Sequence, residues 1–354
     1  MSALEPPYGE RDRGGMAARI DGIPEQIEAA LERTGRDPWR PPLAAPALLA
    51  VGAMGGSAIA AELAATLHSD RLPRPLLVVR DYRWPACVTR EALALLCSYS
   101  GDTEETLALF AEAGARSVPR LAMATGGRLA AECERSGVFC ARLPAGSPPR
   151  AALFSAFVPL TALLHALGWV DDPAPAWREA AAVLRARRAA LGPDAPEAAN
   201  SAKRLARALH GRLAFVYAGA ERMGAVATRI RQQLNENAKL PAHSALVPEL
   251  DHNEIVGWER PGELHRRVSV LVLRDAEDSA VVARRLTLTA EYAARQGGEI
   301  HELPSIEGGR LARMAAQVQF GDYVSLYLAL LSGADPTPIE SIDEFKRRLA
   351  QSGA

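Results

Sequence analysis

The chain has 354 residues, with 41 Lys and Arg against 42 Asp and Glu, for a formal net charge of −1. That length fits two domains, each able to bury its own core, and the balanced charge gives no global electrostatic case for binding nucleic acid or an anionic membrane. Cys87, Cys97, Cys133 and Cys140 form no Cys-x-x-Cys pair, and no apolar run reads as long enough to span a bilayer, so a reduced, cytoplasmic protein with no membrane partner is expected. Residues 1–15 are rich in Pro, Gly and charge, lack the apolar core of a signal peptide, and read as a flexible leader.

From there strands and helices alternate. A first strand ends at Val51, and strands follow at 76–80, 93–98, 121–125 and 138–143, separated by helical patterns. A long helix is expected over 150–167, then a proline-punctuated helical connector within 173–200. The pattern restarts with strand 213–218, helix 221–238, strand 268–274, helix 279–296, strand 300–303 and helix 311–331. Alternation at this spacing predicts βαβ units on parallel sheets, here two α/β copies in series.

Two strand-to-helix turns carry chemistry. In the first, Val51-Gly52-Ala53-Met54-Gly55-Gly56-Ser57, two adjacent glycines let backbone approach a ligand. The spacing is wrong for Gly-x-Gly-x-x-Gly, and no Lys follows as in a nucleotide P-loop, so a sugar phosphate fits better than a nucleotide. In the second, Cys97-Ser98-Tyr99-Ser100-Gly101-Asp102-Thr103, hydroxyls and amides converge on a helix N-terminus, where unpaired N–H groups and the dipole favour an anion. Taken alone, the second turn fits a capping box of Asp102 and Glu105 equally well. Cys97 has no His near it in sequence and reads as a small buried residue.

The second half supplies candidate acid–base groups. Met223, Val226, Ile230 and Leu234 recur at helical spacing, and Glu236 falls off that stripe in the last turn, where the dipole disfavours a carboxylate and raises its pKa. A solvent-facing acid in a fraying helix would look the same. Sixteen residues on, His252 lies in the irregular polar run Pro248-Glu249-Leu250-Asp251-His252-Asn253-Glu254. The seven histidines show no His-x-His or His-Glu-x-x-His spacing, so no metal or other cofactor is expected; His165, in an apolar helix, reads as a core or interface residue.

The paired turns, with their Ser-x-Ser-x-x-Thr spacing, resemble the sugar isomerase (SIS) fold. With the Asn235-Glu236-Asn237-Ala238-Lys239 and Pro248-to-Ile255 runs, the chain resembles the bifunctional phosphoglucose/phosphomannose isomerase family from about Pro46 to the end. Val79-Arg80-Asp81-Tyr82, Gly146-Ser147-Pro148-Pro149-Arg150 and Asp335-Pro336-Thr337-Pro338 add to the match. The resemblance implies two flavodoxin-like SIS domains, expected at 16–190 and 191–354, each a mostly parallel sheet flanked by helices. It implies a homodimer with shared active sites acting on a hexose 6-phosphate. Gly55, Gly56, Ser57, Ser98, Ser100 and Thr103 would hold the phosphate. Glu236 would be the base, Arg150 would stabilise the enediolate, Lys346 would contact the sugar, and His252 would assist ring opening from the partner subunit. Departures from the family pattern are Ala53 for Gly, Ala60-Ala61-Glu62 for a glycine-rich, Asp-containing stretch, and Asp102 and Asp251 where Asn is often found.

These residue types suit aldose–ketose isomerisation, which needs one base to move a proton between neighbouring carbons and a cation beside the developing oxyanion. A sugar-phosphate sensor, or an isomerase of another sugar phosphate, is the alternative. An SIS protein of the glutamine-dependent aminotransfer type would need a glutaminase domain, which nothing in this sequence matches.

Overall fold

The computed structural model describes residues 3–260 and 262–351. The ends of the expected leader and C-terminal domain, residues 1–2 and 352–354, lie outside them. Helices α1 (Met16–Asp21) and α2 (Ile23–Arg36) precede β1 (Leu49–Ala53), α3 (Gly55–Leu67), β2 (Leu76–Val79) and β3 (Leu93–Cys97). There follow α4 (Glu104–Ala115), β4 (Arg120–Ala124), α5 (Gly127–Ser136), β5 (Cys140–Arg142), α6 (Leu153–Ala166), α7 (Ala174–Leu191) and α8 (Ser201–Leu209). The second half contains β6 (Leu213–Gly219), α9 (Ala220–Glu236), β7 (Ala242–Val247), β8 (Val268–Leu273), α10 (Ala280–Arg295), β9 (Glu299–Leu303), α11 (Arg310–Leu331) and α12 (Glu340–Gln351).

All pairings are parallel, in the orders β2-β1-β3-β4-β5 and β7-β6-β8-β9. The two sheets flanked by helices are the α/β architecture the alternation predicts. β1, β3 and β8 are buried along their whole length, as strands covered on both faces must be. In each sheet the first strand of the half lies inside the second, so the order reverses between β1 and β3 and again between β6 and β8. Ligands of open α/β sheets sit outside the C-terminal strand ends at such a reversal.

The two halves share one core. α3 packs on α9, and α11 packs on α7, α8 and α9, within a single hydrophobic cluster drawn from both halves. The window Pro149–Ala166 does have the length and hydropathy of a membrane span, contrary to the sequence expectation, but 72% of it is buried inside this core.

Other expectations shift for identifiable reasons. The described part of the leader is packed: Leu4 and Tyr8 are buried, Arg11 donates to the Ala3 carbonyl, and Glu5 lies 3.4 Å from the Lys203 ammonium. A leucine and a tyrosine among the prolines suffice to dock it. His165 is exposed rather than core, with Nδ1 3.0 Å from the Val170 carbonyl. Cys97 is buried as expected, and burial pushes its thiol pKa up.

Candidate active site

The β1–α3 turn and the β3–α4 loop sit side by side, because Ala53 pairs with Cys97 at the C-terminal ends of the two strands. Neither helix has a side-chain cap: the N-cap residues, Met54 and Thr103, make no capping hydrogen bond. First-turn amides of both helices are therefore left for another acceptor, apart from that of Ser57, which donates to the Met54 carbonyl at 3.1 Å. Gly55 has φ +48°, and a Cβ on Gly56 would stand 3.0 Å from the Pro149 carbonyl oxygen, so the second glycine lets α3 start against the segment that carries Arg150.

In the second loop Ser98 is the hub. Its Oγ lies 2.8 Å from Thr103 Oγ1 and accepts from the Gly101 amide at 3.0 Å, while Ser100 Oγ accepts from the Asp102 amide at 3.2 Å. Gly101 has φ +81°, and any Cβ there would meet the Gly126 carbonyl at 1.9 Å. The capping box is not formed. Asp102 instead turns to α5, where its Oδ1 accepts from the Arg128 amide at 3.0 Å. The extra acid thus serves a neighbouring helix start. Glu62, the other acidic departure, pairs with Arg80 at 2.6 Å.

Arg150 is buried in a 3-10 turn, Pro149–Ala152, ahead of α6. Nε donates to Asn237 Oδ1 at 2.7 Å, and Nη2 donates to the Pro336 and Thr337 carbonyls at 2.6 and 2.7 Å. Nη1 makes no hydrogen bond; it lies 3.7 Å from Glu236 Oε2, at ion-pair rather than hydrogen-bond range. Burial lowers the pKa of Arg150, the Glu236 charge opposing. Behind it, Arg229 donates to the Arg150 carbonyl at 2.7 Å and grips Asp322 at 3.0 and 3.1 Å. Three carbonyl or amide acceptors and a buried ion pair therefore hold one guanidinium edge toward the carboxylate.

Glu236 is the last residue of α9 and is partly exposed. Asn237 is buried and donates to Ser325 Oγ at 3.0 Å. Lys239, in left-handed backbone at φ +57°, joins the Glu236 and Pro338 carbonyls at 2.5 and 2.6 Å. Its pKa is lowered, first by burial and then by Arg150. Sequence reading quoted Asn237 and Lys239 but gave them no role. It missed Tyr99, whose hydroxyl donates to the Pro144 carbonyl at 2.8 Å and accepts from the Ser147 amide at 3.1 Å. It also missed Arg19 of α1, which holds Gly146 and Ser147 at 3.0 and 2.8 Å. Together they brace the loop leading to Arg150.

Two expected residues, His252 and Lys346, stand exposed and make no ion pair with Glu236 within this chain. His252 is exposed, in a 3-10 turn Glu249–His252 that follows the C-terminal end of β7, whereas Glu236 precedes the N-terminal end of that strand. Six residues of β7 span about 20 Å. Neighbouring Asp251 is tied to Arg285 and Thr289 of α10 at 2.8 and 2.7 Å. Lys346 lies exposed on α12. At the reversal point of the second sheet, Ser279 Oγ caps α10 by accepting from the Val282 amide, and Glu221, Asp275 and Asp278 bring acid to the strand ends.

Comparison with known proteins covers most of the chain. Residues 198–349 match the model described as bacterial phospho-glucose isomerase C-terminal SIS domain. A bifunctional phosphoglucose/phosphomannose isomerase from Caldicellulosiruptor bescii is 36% identical over 95% of this chain and 99% of its own length. One from Aquifex aeolicus is 32% identical over 84% of this chain and 88% of its own length. Among solved structures, a hypothetical protein from Thermus thermophilus superposes with TM-score 0.72 at 15% identity, covering 98% of this chain and 92% of that one, which shows the fold alone.

Proposed function

The chain belongs to the bifunctional phosphoglucose/phosphomannose isomerase family, and from that premise we propose that it interconverts glucose 6-phosphate and mannose 6-phosphate with fructose 6-phosphate in the cytoplasm. The observation that carries the reading is the buried Arg150, anchored on three sides with Nη1 left facing Glu236.

The substrate phosphate sits at the C-terminal ends of β1 and β3, against Gly55, Gly56 and the hydroxyls of Ser57, Ser98, Ser100 and Thr103. This orients the sugar through atoms remote from the reacting carbons. Glu236 takes the proton from C2 of the open-chain aldose, leaving an enediolate whose oxygen lies beside Arg150 Nη1; the O2 hydroxyl proton passes to O1, and Glu236 returns its proton to C1, leaving the carbonyl at C2. One preorganised donor of this kind is worth about 3 kcal/mol. Because the enediolate has lost the C2 configuration, rotation about C2–C3 and return of the proton to the other face gives the mannose isomer. Every step runs on side chains.

Ring opening needs a second proton-transfer group, and His252 is assigned that role from a second copy of the chain. What supports a homodimer is topology: Glu236 and His252 of one chain flank opposite ends of β7, while His252 is open to solvent. Lys346 is assigned a contact to the sugar. Glu236→Gln is the test. It should lower turnover by about 10²–10⁴-fold, the contribution of a general base, with inorganic phosphate affinity nearly unchanged. Full turnover in the folded variant would remove Glu236 from the reaction.

A further inference from the structure

We propose that the N-terminal segment ahead of the first sheet is a positioning element of the reacting site: Gly14, Arg19 and Gln26 set where the Arg150 guanidinium stands relative to Glu236. The inference rests on the isomerase reading above, in which Arg150 Nη1 faces the enediolate. Among the described residues Nη1 makes no hydrogen bond, so its place is decided by what holds the rest of the side chain. Two of the supports are the Pro149–Ala152 turn that carries Arg150 and the Pro336 and Thr337 carbonyls that accept from Nη2. The N-terminal segment touches both.

The turn is tied on each side to a different N-terminal helix. Before it, Arg19 Nη1 of α1 donates to the Gly146 carbonyl at 3.0 Å and to Ser147 Oγ at 2.8 Å. At its other end, Gln26 Nε2 of α2 donates to the Ala151 carbonyl at 2.8 Å, and Gln26 Oε1 accepts from the Phe154 and Ser155 amides at 2.9 and 3.1 Å. Ala152, at the N-cap of α6, has no side-chain acceptor, so Gln26 supplies that cap from another helix. A short 3-10 turn is weakly held by its own hydrogen bonds. These contacts hold it from outside.

Gly14 reaches the other support. A Cβ there would stand 2.5 Å from Thr337 Cβ and 2.2 Å from Thr337 Oγ1, about 1 Å or more inside ordinary contact between carbons. Thr337 Oγ1 is buried with no hydrogen-bond partner among the described residues, so packing on Gly14 rather than a polar contact seats that side chain. Arg19 Nε donates to the Gly14 carbonyl at 3.1 Å. One guanidinium therefore links the residue against Thr337 to the loop before Arg150. α1 is itself fixed at both ends. Asp12 accepts from the Met16 and Ala17 amides at 2.6 and 3.0 Å. Asp21 accepts from the Tyr323 hydroxyl of α11, and its carbonyl accepts from Arg188 of α7 at 2.9 Å. A shift of about 1 Å at a reacting centre can cost about a hundredfold in rate, which is the scale on which this frame acts.

The test is steady-state kinetics with fructose 6-phosphate on full-length chains, with Tm measured for each. Arg19→Met and Gly14→Ala should each lower kcat by about 10- to 100-fold while KM changes by less than about threefold and inorganic phosphate affinity holds. Arg19→Lys, whose ammonium can serve the Gly146 and Ser147 oxygens but not the Gly14 carbonyl as well, should fall between Arg19→Met and the parent. Adding Thr337→Gly to Gly14→Ala removes the atoms the new Cβ meets and should restore most of the loss. The deciding comparison is Arg19→Met in the Arg150→Lys background: a residue that acts through Arg150 should lower kcat there by less than about twofold further. Equal falls in both backgrounds, unchanged kcat in both Arg19→Met and Gly14→Ala, or a loss matched by the unfolded fraction overturns the positioning role and leaves the isomerase standing. A parent chain with no isomerase activity overturns the isomerase reading and this role together.

Discussion

Replacing Arg150 with Lys keeps the charge and removes the fork, and its consequences can be worked out from the contacts. The guanidinium satisfies Asn237 Oδ1 with Nε and the Pro336 and Thr337 carbonyls with Nη2, leaving Nη1 3.7 Å from Glu236. One ammonium on a flexible stem cannot reach the Asn237 amide, both carbonyls and the reacting oxygen together. Two buried acceptors lose their partner, at roughly 1–3 kcal/mol each, so Arg150→Lys should cost about 2–6 kcal/mol of unfolding free energy. Loss of the donor beside the enediolate should lower kcat by about 10²–10³, on the scale of one oxyanion donor. In the proposed site the phosphate lies against the Ser57 and Ser98–Thr103 turns, so KM for fructose 6-phosphate should change by less than about threefold if the Arg150 interaction is made only in the transition state. Urea unfolding and steady-state kinetics on the same preparation separate the two effects. A variant that is destabilised as expected yet retains kcat within about tenfold of the parent would refute the placement of Nη1 at the reacting centre.

Other outcomes follow from single contacts. Gly101→Ala forces a Cβ to within 1.9 Å of the Gly126 carbonyl at a φ of +81°, so the Ser98–Thr103 loop must move; isothermal titration with inorganic phosphate should show at least about tenfold weaker binding in a chain that still folds. His68 should make stability pH-dependent: burial, with Arg71 and Arg310 beside it, holds its pKa down at about 4. The unfolded chain binds that proton first, so this contribution is complete above about pH 6.5, is lost as pH falls, and levels off below about pH 4. His68→Gln should flatten the slope of unfolding free energy in that window; an unchanged slope would count against a buried neutral imidazole. Glu277, hydrogen-bonded to Arg310 and Arg313, is held down at about 2. Its contribution is present above the usual carboxylate range and fades as pH falls toward about 2, so Glu277→Gln should lower Tm at pH 7 by more than at pH 3.

How far the sequence carried this account differs from element to element. β1 and β3 were legible because central parallel strands are uninterrupted apolar runs ended by turn residues. The edge strand Ala242–Val247 was not: half-buried and carrying His243 and Ser244, it lacks any periodic apolar signal, and the sequence reading assigns no strand there. The hydroxyl and glycine turns were visible as spacing, but Asp102 could not be assigned to α5 without knowing that α5 begins beside it. Arg150 could be named from resemblance, yet its anchors, Asn237 and the Pro336-Thr337 carbonyls, lie 87 to 187 residues away. The Asp335-to-Pro338 motif gains its meaning only there, as the backbone that orients a cation. The burial of Leu4 and Tyr8 in the leader was not legible, because composition weighs its prolines and charges.

The central claim is that one carboxylate serves one enediolate and thereby two aldoses. Purified, EDTA-treated protein should be incubated with fructose 6-phosphate in deuterated water and the products resolved by NMR. The account predicts both glucose 6-phosphate and mannose 6-phosphate, with deuterium at C2 in those turnovers where the Glu236 proton exchanges with solvent before it returns. Bound fructose 6-phosphate with neither aldose formed would contradict it and leave a protein that only senses its ligand.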